Sequence, residues 1–333
     1  MKTTSVMIQS LCVPCFNRCR YCLLSWNGME VGAAWDRSVR LSRRFLKEIG
    51  EKRPGTAAYL TFGYSMEHPD LSGAIRTLRT MGGPMAEMLQ CDGMKMRNDA
   101  ECGALMEMLR EEGIKRLSFT VYGVAEYHDS FAGRRGDHAL LLRMMNAAQE
   151  AGIPFRTGVP LTAENVGQAE KVIDGLRSAG SAEIRLFIPQ EEGRGRNLRG
   201  IRLRRQDLAQ LSPDARRLLN PEVYRTEEAW LQAPDPLRLE KRQIIISLRQ
   251  DNIADYEGRS AESVIEEIER LDESYYAAFP DFRSLAEMYG DPKGEKLYRI
   301  RDLYHHYRSA FQKEHGIRIY DVTDERQSGS RRF

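Results

Sequence analysis

Six short apolar runs between residues 6 and 189 are separated by amphipathic stretches, and this alternation limits what the chain can fold into. Residues 6–11 (VMIQSL), 57–62 (AAYLTF), 85–90, 116–121, 153–159 and 183–189 read as strands. Residues 36–51, 70–81, 99–112, 137–151 and 164–179 carry helical periodicity between them. Strands spaced by helices pair in parallel, because a parallel neighbour is reached only through a crossover long enough to span the sheet. Right-handed crossovers curl six such units into an open ring. The expected fold is α/β, a partial (β/α)6 TIM-like barrel, with functional groups on loops at the C-terminal ends of the strands.

The rhythm stops near residue 193, where EEGRGRNLRGIRLRR is polar and punctuated by glycine. Residues 1–200 are expected to form the barrel core, and residues 201–333 a mainly helical C-terminal cap or substrate domain. Within that second part, residues 261–276 and 295–314 have helical periodicity, and 243–248 (QIIISL) and 317–320 are strand candidates. Fifty basic residues against 48 acidic ones leave a net charge of +2, so no global basic field attracts nucleic acid. The arginines are interleaved with acids along helical stretches, the pattern of solvated faces. No apolar run is long enough for a signal peptide or a membrane span, so a cytoplasmic protein without a membrane partner is expected.

Residues 12–22 read CVPCFNRCRYC, with four cysteines in eleven positions. In a reducing compartment such a cluster is metal-binding or catalytic more often than disulfide-bonded. Structural zinc favours two ligand pairs separated by a longer loop, and the gap of three between Cys15 and Cys19 is short for that. The ferredoxin run C-x2-C-x2-C-x3-C does not match either. The last three cysteines form C-x3-C-x2-C: three thiolates that can hold three irons of a [4Fe–4S] cube and leave the fourth open to another ligand. Cys12 is left over, and Cys91 and Cys102 read as structural.

CFNRCRYC, with the aromatic Tyr21 just before the third cysteine and βα units following it, resembles the signature of radical S-adenosylmethionine enzymes. The resemblance covers roughly residues 5–200. It implies one [4Fe–4S] cluster on Cys15, Cys19 and Cys22, with Tyr21 against the adenine side of S-adenosylmethionine. It also implies an electron donor of flavodoxin or ferredoxin type. The overall resemblance is to members with SPASM or twitch-type extensions, but residues 201–333 contain no cysteine for an auxiliary cluster. Only eleven residues precede Cys12, so neither a cobalamin-binding stretch nor a peptide-recognition domain is expected there. No glycine-rich phosphate loop follows the first strand, and nucleoside triphosphate use is not expected.

Further stretches fit this resemblance in part. In FGYSMEHPDL, His68, Pro69, Asp70 and Leu71 match the family's H-P-[DE]-L helix start, and FGYS stands where GGEP is common. The backbone of Gly63, Tyr64 and Ser65 is thereby expected to bind the cofactor's amino group. In TVYGVAEYHDSFAGRRGDH, Thr120 stands where a serine contacts the ribose and Tyr122 replaces an acid, while Gly123, His128 and Asp129 are retained. Arg134 or Arg135 takes the place of an arginine that pairs with the cofactor carboxylate, a task suited to a guanidinium fork. In RTGVPLTAENVGQAEK, Thr157 is placed to reach the adenosine, and Asn165 or Thr162 to cap the next helix. Arg194 and Arg196 read either as contacts to an acidic substrate group or as a solvated loop.

The expected activity is reductive cleavage of S-adenosylmethionine, after which the 5′-deoxyadenosyl radical takes a hydrogen atom from an unactivated carbon. The expected substrate is a peptide, modified at a side chain or the backbone; a small polar metabolite is the alternative. Tyr64, Tyr122 and Cys12 are candidate hydrogen donors back to a substrate radical. Two other classes stay open: an iron–sulfur electron-transfer protein that does not turn over the cofactor, and a zinc-binding module.

Overall fold

A computed structural model of the chain describes residues 2–10, 15–22, 34–62, 66–82, 87–191, 193–220, 222–233, 241–250 and 252–316. Six strands, β1 (Lys2–Ser10), β2 (Ala57–Phe62), β3 (Met88–Gln90), β4 (Arg116–Thr120), β5 (Phe155–Pro160) and β6 (Glu183–Phe187), follow the expected order. Helices α1 (Trp35–Lys52), α2 (Leu71–Thr80) and α3 (Asp99–Glu111) follow the first three strands. Helices α4 (Ala125–Ala132) and α5 (Asp137–Glu150) follow β4, and α6 (Ala169–Ser178) follows β5. All ladders among these strands are parallel. One sheet has the order β3-β4-β5-β6 and β2 pairs with β1 in another, so among the described residues the ladder is interrupted between β2 and β3. The fold is the α/β partial barrel expected, an open arc among the described residues.

Local chemistry sets the element ends. Asn98 and Glu101 form a reciprocal capping box at α3, with bonds of 2.9 and 2.8 Å. Asp70 Oδ1 accepts from Gly73 N at 2.9 Å and opens α2. Helix α4 was not expected. AEYHDSFA lies next to GRRG, which reads as a loop, yet Gly133 at φ +64° closes α4 and Gly136 at φ +80° starts α5. The glycines are the hinge between two helices.

The C-terminal part adds strands β7 (Arg225–Thr226), β8 (Lys241–Leu248) and β9 (Leu297–Tyr298). Its helices are α7 (Pro213–Leu218), α8 (Glu227–Leu231), α9 (Ile253–Glu257), α10 (Ala261–Ala277), α11 (Phe282–Tyr289) and α12 (Ile300–His315). β8 lies parallel to β1 with Ser10 opposite Leu248, so β1 has a partner on each side. Val6, Ile8, Ile244 and Ile246 are all fully buried on one shared face, and in β8 Ile245 and Ser247 are buried on the other as well, as expected of a parallel strand covered on both faces. Full burial of each such aliphatic side chain contributes about 1.5–3 kcal/mol. Arg53, at the end of α1, bonds Glu262 at 2.7 Å and Glu269 at 2.8 Å, tying α10 to the barrel. Phe282, Leu285, Leu303 and Tyr307 form a second core between α11 and α12. The strand candidate at 317–320 lies outside the described residues. Among the described residues, no helix is long and apolar enough to cross a membrane.

Candidate active site

The segment Cys15–Cys22 crosses the C-terminal ends of the strands and is clasped from three sides by backbone. Phe16 N donates to Gly93 O at 2.9 Å, just after β3. Arg18 N and Arg20 N donate to Ala132 O and Phe131 O, at 2.7 and 2.9 Å, at the end of α4. Arg194 N donates to Cys22 O at 3.0 Å, from the 3-10 helix Gly193–Ile201 that follows β6. Gly93 sits at φ +65°, and a Cβ there would fall 2.2 Å from Cys15 Sγ. Only glycine leaves the first sulfur its place.

Between the cysteines, Asn17 is almost completely buried, and its Nδ2 donates to Asp137 Oδ2 at 2.9 Å. The same oxygen is 3.1 Å from His128 Nε2, while His128 Nδ1 accepts from Tyr122 N at 3.1 Å. A ring nitrogen that accepts has no proton, so the neutral ring carries its proton on Nε2 and donates to Asp137. The loop, α5, α4 and the end of β4 are thus joined through one buried carboxylate, which lies 3.6 Å from Arg134 Nη1.

Tyr122 is 2% exposed, and its hydroxyl lies 3.0 Å from Cys19 Sγ. Its ring stacks on Phe131 at 4.9 Å and meets Tyr21 edge-on at 5.7 Å; Tyr21 also lies 6.2 Å from Phe187. Burial pushes the Cys15 thiol up to about 12, and backbone hydrogen bonding at Asn17 opposes it. Burial pushes Cys19 up as well, and the Tyr122 hydroxyl, a donor to the thiolate, pulls it back. Thiolates in this place need a cation to offset their desolvation.

Asp92, just after β3, was not singled out in the sequence. Its Oδ1 accepts from Thr120 N and its Oδ2 from Thr120 Oγ1, both at 2.8 Å, and Gln90 Nε2 donates to Oδ2 at 2.7 Å. Burial raises its carboxyl to about 6 despite these donors. Thr120 is therefore beside the loop but engaged with Asp92. Arg134 reaches Asn17 Oδ1 at 3.4 Å and Met94 O, and its guanidinium lies over the Phe16 ring at 5.7 Å; it braces the cysteine loop. Arg135 is exposed. Thr157 Oγ1 lies 2.9 Å from Ser181 Oγ, toward the segment that opens β6, and shares its strand face with Phe155 and Val159. The structure does not bring Thr157 to the cysteine loop.

Asn165 does not cap a helix with its side chain. Its Oδ1 accepts from Thr162 N at 2.7 Å, and its Nδ2 donates to Tyr122 O at 2.7 Å and Pro160 O at 2.8 Å, which fixes the ends of β4 and β5 together. Glu67 and Arg97 form an ion pair at 2.6 Å, each 9% exposed, between the segments after β2 and β3. Cys12, Gly63, Tyr64 and Ser65 lie outside the described residues. Cys91 and Cys102 are fully buried in the main core and unpaired.

Residues 11–176, about half of the chain, match the family model of the radical SAM superfamily. This chain belongs to that superfamily. A comparison with curated proteins finds no match. Among solved structures, Streptococcus suis SuiB bound to the precursor peptide SuiA is 12% identical, with a TM-score of 0.48 over 73% of this chain and 57% of SuiB. Coproporphyrinogen III oxidase (HemN) from Escherichia coli is 13% identical, with a TM-score of 0.44 over 74% of this chain and 63% of that one. The protein anSMEcpe with bound AdoMet is 12% identical, with a TM-score of 0.41 over 56% and 51%. This chain spans less than two thirds of each.

A radical SAM enzyme uses a [4Fe–4S] cluster and S-adenosylmethionine, and the residues present fit the cluster. Three thiols lie on one clasped loop, a glycine keeps the space beside Cys15, and burial disfavours ionisation of Cys15 and Cys19 unless a cation is bound. Among the described residues, no three His, Cys, Asp or Glu side chains converge closely enough to hold a single metal ion. A cube, whose thiolates bind three separate irons, does not require them to.

Proposed function

We propose that Cys15, Cys19 and Cys22 ligate the cluster and that the enzyme acts on a carbon of a peptide carrying an acidic group. The clasp of the cysteine loop carries this reading, because Gly93, Phe131, Ala132 and Arg194 hold all three cysteines at the strand ends. The cluster, when bound, would supply the electron for reductive cleavage of S-adenosylmethionine, and with it the radical chemistry at a substrate carbon. The chain's own part is placement and exclusion of water. Tyr21 and Phe187 offer aromatic faces beside the loop for the adenine, and Asp92 with Thr120 offers oxygens for the ribose hydroxyls. Arg194 and Arg196 form a basic strip that starts at Cys22 and reaches α12, where Arg196 Nη2 is 3.4 Å from His305 Nε2; the next arginine, Arg199, is already paired with Glu191 Oε2 at 3.0 Å. That strip favours a substrate with a carboxylate side chain.

The test is anaerobic incubation of reconstituted, dithionite-reduced protein with S-adenosylmethionine, scored for 5′-deoxyadenosine. Product from the wild type and Cys12→Ala but not from Cys15→Ala supports the ligand assignment. Added acidic peptides that raise the yield, where neutral peptides and small carboxylic acids do not, support the substrate class. No product from wild type of confirmed iron content, with such peptides present, rejects the reading.

A further inference from the structure

Among the described residues, one side-chain donor reaches a sulfur of the three proposed ligands: the Tyr122 hydroxyl, 3.0 Å from Cys19 Sγ. In the resemblance described above this position holds an acid, so the residue is a particular of this chain. Its surroundings leave the hydroxyl little freedom. The ring is held by Phe131 at 4.9 Å and His128 at 4.8 Å. Its backbone is fixed at both polar atoms, N by His128 Nδ1 and O by Asn165 Nδ2, at 3.1 and 2.7 Å. With only 2% of the residue exposed, water does not compete for the phenol. A sulfur that ligates iron has no proton, so in this pair the phenol must be the donor and the sulfur the acceptor.

We propose that Tyr122, acting through Cys19, is a positioning residue that raises the reduction potential of the cluster by donating a fixed hydrogen bond to its thiolate. This role requires Cys19 to be a cluster ligand, as proposed above, and adds to it a control of the cluster's potential. Reduction adds one negative charge to the cluster, and a donor at a ligand sulfur stabilises the more negative state more. The site is nearly dry, so the donor's dipole is weakly screened. The electron comes from a low-potential carrier or dithionite; no bond to Tyr122 forms or breaks, and its proton stays on oxygen. A carboxylate in the same place would act in the opposite direction, opposing the added charge.

The experiment is a redox titration of full-length, reconstituted wild type and Tyr122→Phe, followed by the electron paramagnetic resonance of the reduced cluster, with iron and sulfide counted in both. Removing the hydroxyl should lower the reduced-to-oxidised ratio at a fixed poise by about three- to tenfold; tenfold is about 59 mV for one electron. Isosteric 3-fluorotyrosine at position 122, a stronger donor, should shift the ratio the other way. A purely structural role predicts no such opposed pair of shifts. Equal midpoints for wild type and Tyr122→Phe, with full iron in both, overturn the proposal and leave the ligand assignment standing. Should the phenylalanine variant fail to hold iron, an unshifted 3-fluorotyrosine protein overturns it instead. Wild type that takes up no iron overturns the ligand assignment itself.

Discussion

Asn17 Nδ2 donates to Asp137 Oδ2 at 2.9 Å, so a carboxylate 120 residues downstream holds the middle of the cysteine loop. Asp137 also accepts from His128 Nε2, and its loss would leave two buried donors unpaired. Each unpaired donor costs about 1–3 kcal/mol, so Asp137→Ala should destabilise the fold by roughly 2–6 kcal/mol. Asn17→Ala leaves the His128 bond in place and should cost only about 1–2 kcal/mol. Its larger effect should be kinetic, a several-fold faster loss of iron to a chelator. Iron release at the wild-type rate from Asn17→Ala would show that the loop does not depend on this bond.

Gly93→Ala should separate the cluster from the fold. The left-handed backbone costs about 1–2 kcal/mol with any Cβ, and here the Cβ would also meet Cys15 Sγ at 2.2 Å. Gly82→Ala is the control: its φ is +71°, but nothing lies within 4 Å of the added atom. The two variants should melt at similar temperatures, while only Gly93→Ala loses most of its iron. Equal iron in both would mean that Cys15 is free to move aside.

How much of this was legible depended on whether the information was local. CFNRCRYC fixes its own spacing, and strand–helix alternation shows up as periodicity, so both could be read directly. The strand QIIISL was legible as a strand, but not its place beside β1, because pairing partners 238 residues apart, such as Val6 and Ile244, share no local pattern. Asp92 and Asp137 read as ordinary loop and helix-start acids; only the fold brings them to Thr120 and Asn17. Thr157 shows a signal that was present and not used. Strand parity puts it on the face of Phe155 and Val159, whichever family member it is compared with.

Asp92 makes the apoprotein's stability depend on pH. Burial lifts its folded carboxyl to about 6, above the 3.8 of an exposed one, so the folded state binds this proton more tightly than the unfolded chain. The stability it contributes is complete below pH 3.8 and is lost as pH rises through about 6. At 1.36 kcal/mol per pH unit the loss is about 3 kcal/mol. Asp92→Asn cannot ionise. Urea denaturation at about pH 4.5 and about pH 7.5 should therefore show the wild type losing about 2 kcal/mol relative to the variant, the first third of the loss having already occurred by pH 4.5. Parallel pH profiles would place the titration elsewhere.

Glu67 and Arg97 offer the sharpest test of how the loops after β2 and β3 are held together. Their ion pair spans 2.6 Å with 9% of each side chain exposed, and Lys95 N adds a bond to Glu67 Oε1 at 2.9 Å. Desolvation of two charges roughly cancels their attraction, so the pair adds little net stability, but either charge left alone is costly. Arg97→Met should cost about 3–5 kcal/mol, since it strands the Glu67 carboxylate. Glu67→Met, Arg97→Met together should recover most of that loss, because no buried charge remains and the methionines fill similar volume. The coupling in a double-mutant cycle should then be strongly favourable even though the double variant is nearly as stable as wild type. Additive losses would mean that each residue is held by other partners, and that the segments after β2 and β3 are positioned without this pair.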